Sequence, residues 1–305
     1  MKIVITRRNV PLHVPDGINV HIFALSSELI AMGCDVYVVS DVYSKPEIVD
    51  KFFSPKYKPK IISLTNKEYL SKLSLLRIWI NKGNKVLKQI SPDFIIVNGA
   101  VPLTKDLMFR SCFVSHDLER RKIFGLDLMR TLYKRLMYRR AGIIVATCSE
   151  LRDYLSEELS VDKARIEVIP TCFETEKYYY YPIEKRQNAI LHVGTVFYKN
   201  PQLTILAFRY LNDLLADLDL KLYITGKVTR ELLDFLNSID DSVRSRIQLL
   251  GLVEAQKFLE LLATVKIVSI PSTYTTPVAS PTAIEALLSG TPIVCLLYTS
   301  DAADE

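Results

Sequence analysis

Short uninterrupted runs of aliphatic and β-branched residues recur along the chain, with helix-like stretches between most of them, and they fall into two series. The first is KIVIT (2–6), DVYVVS (35–40), KIISL (60–64), DFIIVNG (93–99), SCFVSHD (111–117), GIIVATCS (142–149) and RIEVIP (165–170). The second is NAILHVG (188–194), KLYITG (221–226), RIQLLG (246–251) and KIVSIP (266–271). Runs this short and this continuously apolar read as strands covered on both faces, and strands that alternate with helices imply a mostly parallel sheet. Two series imply two such sheets. The stretch between them, FETEKYYYYPIEKRQN (173–188), is charged and tyrosine-rich, contains Pro182 and has no clear period. It suits a linker. The expected organisation is therefore α/β, with two doubly wound Rossmann-like domains at 1–172 and 189–294, joined by 173–188 and facing each other across a cleft at the carboxyl ends of their strands.

Composition narrows the function classes. A length of 305 residues fits two domains of roughly 150. Hydrophobic residues at 49% and charged residues at 24% supply a core for each half and exclude global disorder. No run approaches the roughly 18 apolar residues of a membrane span, and the opening MKIVITRRNV carries charge where a signal peptide is apolar. A cytoplasmic protein is expected. The five cysteines, at 34, 112, 148, 172 and 295, form no CxxC pair, so neither a disulfide framework nor a structural metal is indicated. The ending CLLYTSDAADE (295–305) matches what a transposon-type sequencing adapter encodes in one reading frame. Adapter read-through is expected there, with authentic sequence stopping near Val294 and the second domain incomplete.

The segment SPTAIEALLSGTPIV (280–294) carries the most chemistry. Ser280 is a natural N-cap, Pro281 fits the first helical position and Gly290 the residue just past the end. Backbone N–H groups at Thr282 and Ala283 in that first turn would favour an anion such as a diphosphate. Glu285, one turn inside, is suited either to accept two ribose hydroxyls or merely to complement the helix dipole.

With its neighbours this segment resembles the donor-binding domain of retaining glycosyltransferases of the GT-B fold, the group-one, family-four-like type. The matching pieces are ILHVGTVFYKNP, LYITGK, IQLLGLV, VSIPS and PTAIEALLSGTPIV, in the family's order. In the first half DGINVHIFALSSELIAMGCDVYVVS is similar to the family's opening glycine loop and helix. SPDFIIVNG, FVSHDL, RRAGIIVATCSELRDYL and IEVIPTCFETEKY follow as its later units. The resemblance implies a metal-independent, hexosyltransferase-like enzyme that moves a sugar from a nucleotide-diphosphate sugar to a glycan, glycolipid or lipid-phosphate acceptor with retention of configuration. The nucleotide sugar is a co-substrate, and no cofactor is implied.

Carried over position by position, the resemblance gives Lys199 the task of neutralising the departing diphosphate and Glu285 that of holding the nucleotide ribose. Gly194 and Thr195 follow the first strand of the second series, and Thr195 stands where the family has an arginine. Pro277 stands where the first glutamate of the family's pair would fall. Pro281, Thr282 and Ala283 make the diphosphate-facing helix start. Gly17 matches one glycine of the loop that approaches the donor phosphates, with Asp16 in the other's place. His116 matches a histidine lining the sugar pocket, with packing in a core as the alternative; His21, on the first helix, suits helix packing, with a place facing the acceptor as the alternative. The basic stretches RTLYKRLMYRR (130–140) and KFFSPKYKPK (51–60) suit either contact with the inner face of an anionic membrane or a solvated surface. No nucleic-acid-binding motif accompanies them. The alternative to an enzyme is a non-catalytic binding or partner protein of the same shape, and a sugar-nucleotide epimerase fits the last helix less well.

Overall fold

The computed structural model describes residues 1–14, 16–53, 55–99, 101–116, 135–215, 218–273 and 280–296. Asp117, residues 130–134 of the basic stretch, Pro277 and most of the 295–305 tail lie outside them. The chain divides into two units, 1–173 and 174–305.

The first unit is built on seven parallel strands, β1 (Lys2–Arg7), β2 (Asp35–Ser40), β3 (Lys60–Ser63), β4 (Phe94–Asn98), β5 (Ser111–Ser115), β6 (Ile143–Ala146) and β7 (Ile166–Val168). Their order is β3-β2-β1-β4-β5-β6-β7, so the chain reverses its direction of travel across the sheet between β1 and β4. Both faces are covered: adjacent residues Val4 and Ile5 are each fully buried, which is why these strands read as continuous apolar runs. One core layer joins Ile3, Ile5, Val36, Val38, Ile96 and Val114 to Ile22 and Phe23 of the helix Gly17–Ala31. That helix starts where the Asp16 carboxylate accepts from the amides of Ile18 (3.0 Å) and Asn19 (3.3 Å), and its exit passes through Gly33 at φ +85°. A longer helical stretch, Lys72–Ile90, is broken by a π-turn over Trp79–Gly83. The Trp79 ring lies on Gly83, where no Cβ would fit, and the indole N–H reaches the buried Asp41 at 2.9 Å.

The second unit has five parallel strands, β8 (Gln187–Val193), β9 (Lys221–Thr225), β10 (Ile247–Gly251), β11 (Val265–Ile270) and β12 (Ile293–Cys295), ordered β10-β9-β8-β11-β12. Successive residues of β8 feed opposite layers. Ile190 packs with Ile205, Phe208, Leu222, Leu232 and Leu236, from the helices Pro201–Leu214 and Arg230–Asn237 and from β9. Ala189 and Leu191 pack with Leu261, Leu262, Ala283 and Ala286, from the helices Ala255–Thr264 and Pro281–Leu288.

The expected linker is a correction. Residues 174–186 belong to the second unit and are fastened to it by Arg186, which is only 5% exposed. Its guanidinium donates to the carbonyls of Tyr181 (2.7 Å), Val265 (3.2 Å) and Ser289 (2.8 Å) and to the Thr291 hydroxyl. A cation on the Ser289 carbonyl meets the negative end of the helix Pro281–Leu288. Gly290, at φ +64°, is overlain by the Tyr180 ring, which would collide with any Cβ there.

The basic stretches are partly consumed in the fold. Lys58 pairs with Asp50 at 2.6 Å and Lys60 with Asp35 at 2.9 Å. Arg135 and Arg139 donate to the carbonyls of Glu158 and Ser160 at the end of the helix Ser149–Leu159. Among the described residues no helix is long and apolar enough to cross a membrane.

Candidate functional site

In open parallel sheets, ligands bind beyond the carboxyl ends of the strands where the strand order reverses. In the second unit that point lies between β8 and β11. The turn after β8 is built around Gly194 at φ +92°, whose amide donates to the Thr225 carbonyl (2.9 Å) and whose carbonyl accepts from His192 Nε2 (2.8 Å). A carbonyl only accepts, so Nε2 carries the imidazole proton and Nδ1 accepts from the Thr204 hydroxyl at 2.8 Å. The Thr204 oxygen in turn lies 2.9 Å from that of Ser269 on β11. Burial holds His192 down to about 4, so it stays neutral and this chain of bonds persists at ordinary pH.

Lys199 folds back over this turn. A Cβ added to Gly194 would lie 3.3 Å from Lys199 Cγ, so the lysine stem runs along the glycine. Desolvation lowers the ammonium's pKa, with the nearby Cys295 acting in the opposite direction. Thr195 Oγ1 donates to the Lys227 carbonyl at 2.5 Å, which ties the β8 turn to the β9 turn and brings the backbone of a second, exposed lysine alongside. Tyr198 accepts from the Thr273 amide at 2.9 Å, linking the same turn to the segment after β11.

The helix Pro281–Leu288 starts at this edge, with Ala283 packed in the apolar layer that includes Val193. One expectation is corrected here. The Ala283 amide is already spent on the Ser280 carbonyl at 2.8 Å in a tight first turn. Thr282 is then the first-turn amide with no acceptor among the described residues, next to Pro281, which has no N–H. Glu285 is 7% exposed, and desolvation pushes its carboxyl up to about 7, partly opposed by the Tyr178 hydroxyl donating to it at 3.5 Å. Burial drives Tyr178 well above its ordinary value, and the carboxylate beside the phenol adds to the rise.

In the first unit the reversal lies between β1 and β4, and the groups there are charged and largely satisfied. Arg7, buried at the end of β1, donates to Asn19 Oδ1 (2.7 Å) and to Asp16 Oδ1 (2.7 Å). Gly17 opens the helix, but the helix N-terminus is occupied by the chain's own carboxylate. His116, just past β5, has Nε2 2.7 Å from Asn98 Oδ1. Its ring meets that of His21 edge-on, with centroids 4.9 Å apart.

Among the described residues no group of three or more His, Cys, Asp or Glu side chains is gathered to hold a metal ion. The sequence does contain one Asp-x-Asp triplet, Asp217-Leu218-Asp219. Asp217 lies outside the described residues, and Asp219 precedes β9 and pairs with Lys221 at 3.4 Å, at the opposite edge of the sheet from the Gly194 turn.

The sequence profile of Glycosyltransferase Family 4 matches residues 15–177, more than half of the chain. The chain belongs to glycosyltransferase family 4. A search of curated proteins finds no match. Solved structures agree in fold with this family-4 chain. Sucrose-phosphate synthase from Thermosynechococcus elongatus superposes with a TM-score of 0.71 at 13% identity, covering 98% of this chain and 82% of that one. Anabaena HepE in complex with UDP and glucose gives 0.65 at 16%, covering 97% and 80%. A putative UDP-N-acetylglucosamine 2-epimerase from Listeria monocytogenes gives 0.64 at 16%, covering 99% and 81%. The α/β architecture is thus shared by transferases and epimerases.

The structure brings Gly194, Thr195, Lys199, Pro281, Thr282, Ala283 and Glu285 to one edge of the second sheet, and Gly17 and His116 to the corresponding edge of the first. Sequence reasoning did not single out His192, Tyr178, Arg186, Arg7 or Asn98. A readable signal existed for two of them: a histidine two residues before the turn glycine, and an arginine ending an apolar strand.

Proposed function

We propose that this family-4 chain transfers a sugar from a nucleoside-diphosphate sugar to a hydroxyl acceptor, with retention of configuration and without a metal ion. The observation that carries the reading is the meeting, at the reversal point of the second sheet, of the Gly194–Lys199 turn with the helix start that bears Glu285. The missing side chain at Gly194 lets the Lys199 stem lie along the turn, and a helix N-terminus favours the charge of phosphate oxygens. Lys199 supplies a positive charge whose value grows as the diphosphate departs, in a setting already partly stripped of water. Glu285, when ionised, accepts from two ribose hydroxyls, and the Tyr178 hydroxyl stabilises that ionised form. The leaving phosphate oxygen takes the proton of the incoming hydroxyl on the same face, which gives retention through an oxocarbenium-like state. HepE, similar in fold, was solved with UDP, so uridine diphosphate is the first nucleotide to try.

Calorimetric titration of the chain with UDP, GDP and ADP tests this. The expected result is saturable binding of at least one, weakened in Glu285→Gln. Binding of none, or equal binding by the variant, overturns it. The acceptor belongs to the glycan, glycolipid or lipid-phosphate class, and contact with a membrane surface is part of the same proposal.

A further inference from the structure

The buried imidazole of His192 is 1% exposed, and both of its nitrogens are in use. Thr204 gives its one hydroxyl proton to Nδ1, so Ser269 is the donor in the 2.9 Å contact between the two hydroxyls. The ring is thus fixed jointly by β8, the helix Pro201–Leu214 and β11, with its single proton on Nε2, aimed at the Gly194 carbonyl. An apolar side chain would fill this place without desolvating an imidazole. What the imidazole adds is control of one peptide group.

The carbonyl and N–H of a trans peptide point in opposite directions, so a Gly194 oxygen held on the ring turns the Thr195 N–H away from it. That amide has no acceptor among the described residues; the bond from Thr195 to the Lys227 carbonyl comes from its side chain. A Cβ on Gly226 would stand 3.0 Å from the Thr195 nitrogen, so the side chain missing there leaves room beside the amide. Glycine also makes the arrangement easy to lose. With no Cβ, Gly194 at φ +92° can rotate the 194–195 peptide against little steric resistance, which would put a carbonyl where the donor was.

We infer that His192 is a positioning residue for the donor phosphates: by holding the Gly194 carbonyl it keeps the Thr195 N–H presented to a diphosphate oxygen. The amide adds a directed bond to the charge of Lys199, and a peptide turned the other way would set a carbonyl dipole against the anion. His192 itself does not touch the ligand. The inference rests on the transferase proposal only for the origin of that diphosphate.

The test uses the full chain labelled with 15N-threonine, in which Thr195→Ser identifies the Thr195 amide signal by deleting it. Inorganic diphosphate should move that signal. His192→Phe frees the peptide and should bind diphosphate about tenfold more weakly by calorimetry, as loss of one hydrogen bond to a charged oxygen implies, with the Thr195 response gone. His192→Gln, whose amide can still donate to the Gly194 carbonyl, should recover part of both. If His192→Phe fails to fold, Thr204→Val decides the same question: the ring's proton is no longer directed to Nε2, and diphosphate should bind about threefold more weakly. An unmoved Thr195 signal or full affinity in these variants overturns the inference. So does a loss that comes with displaced Thr229 and Thr264 signals before ligand is added, which marks a general disturbance of the second unit. UDP calorimetry on the same sample keeps the two readings apart: UDP binding with an unmoved Thr195 signal sinks the positioning role alone, and a Thr195 response to diphosphate with no binding of UDP, GDP or ADP sinks the nucleotide reading alone.

Discussion

The two sheets share a topology but use their reversal points in opposite ways. At the first, the helix N-terminus is closed by Asp16, and Asp16 is in turn held by Arg7. At the second, the helix Pro281–Leu288 begins with a proline and a backbone-closed turn, with a lysine folded over a glycine beside it. On the proposed function, strand order alone does not make an anion site. What decides it is whether the capping residue brings its own carboxylate, because a helix terminus already neutralised by the chain has little left for a ligand.

The sharpest way to break this contrast is Lys199→Ala. Removing a charge that acts mainly on the departing diphosphate should lower donor turnover by about 10²–10³-fold, with nucleotide affinity changed far less. Equal losses in both would make Lys199 a binding residue only. Next in size, Arg186→Ala should destabilise the second unit by about 3 kcal/mol, since several buried acceptors lose their donor together. Urea unfolding would register that loss. Asp16→Ala should cost about 1–3 kcal/mol through the lost cap and the stranded Arg7, measured the same way. If it also confers phosphate binding on the first unit, the contrast is sharpened.

The smallest effect is on pH. The Glu285 carboxyl, raised to about 7 in the fold, binds a proton there more tightly than in the unfolded chain. Its contribution to stability is therefore fully present below the ordinary glutamate value and is lost as pH rises through about 7. Nucleotide affinity should run the other way, rising between pH 6 and 8 as the carboxylate forms. Glu285→Gln should flatten both trends, followed by thermal unfolding and calorimetry across that range.

Much of this was legible in the residue order. Continuous apolar runs located the strands, and Pro281 and Gly290 bracketed the last helix. Asp16 stands where the family's other glycine falls, and its part as the cap of the helix Gly17–Ala31 is seen only in the structure. Other features depend on partners far apart in the chain, such as Tyr178 with Glu285, Arg186 with Ser289 and His21 with Cys172. No local period reports such pairs. The stretch 173–188 was misleading for that reason: its charges and tyrosines look solvated until the buried guanidinium and the ring over Gly290 are seen. The Ala283 amide was misjudged because a tight first turn spends a donor that an ideal α-helix leaves open.

The Arg186 clasp also sets where this chain can be cut and recombined. A chimera that exchanged second units between relatives at the start of β8 would leave the arginine's side of the clasp with one parent and its acceptors with the other. A junction between Phe173 and Glu174 transplants the 174–186 stretch, the strand and the helix Pro281–Leu288 as one heritable piece.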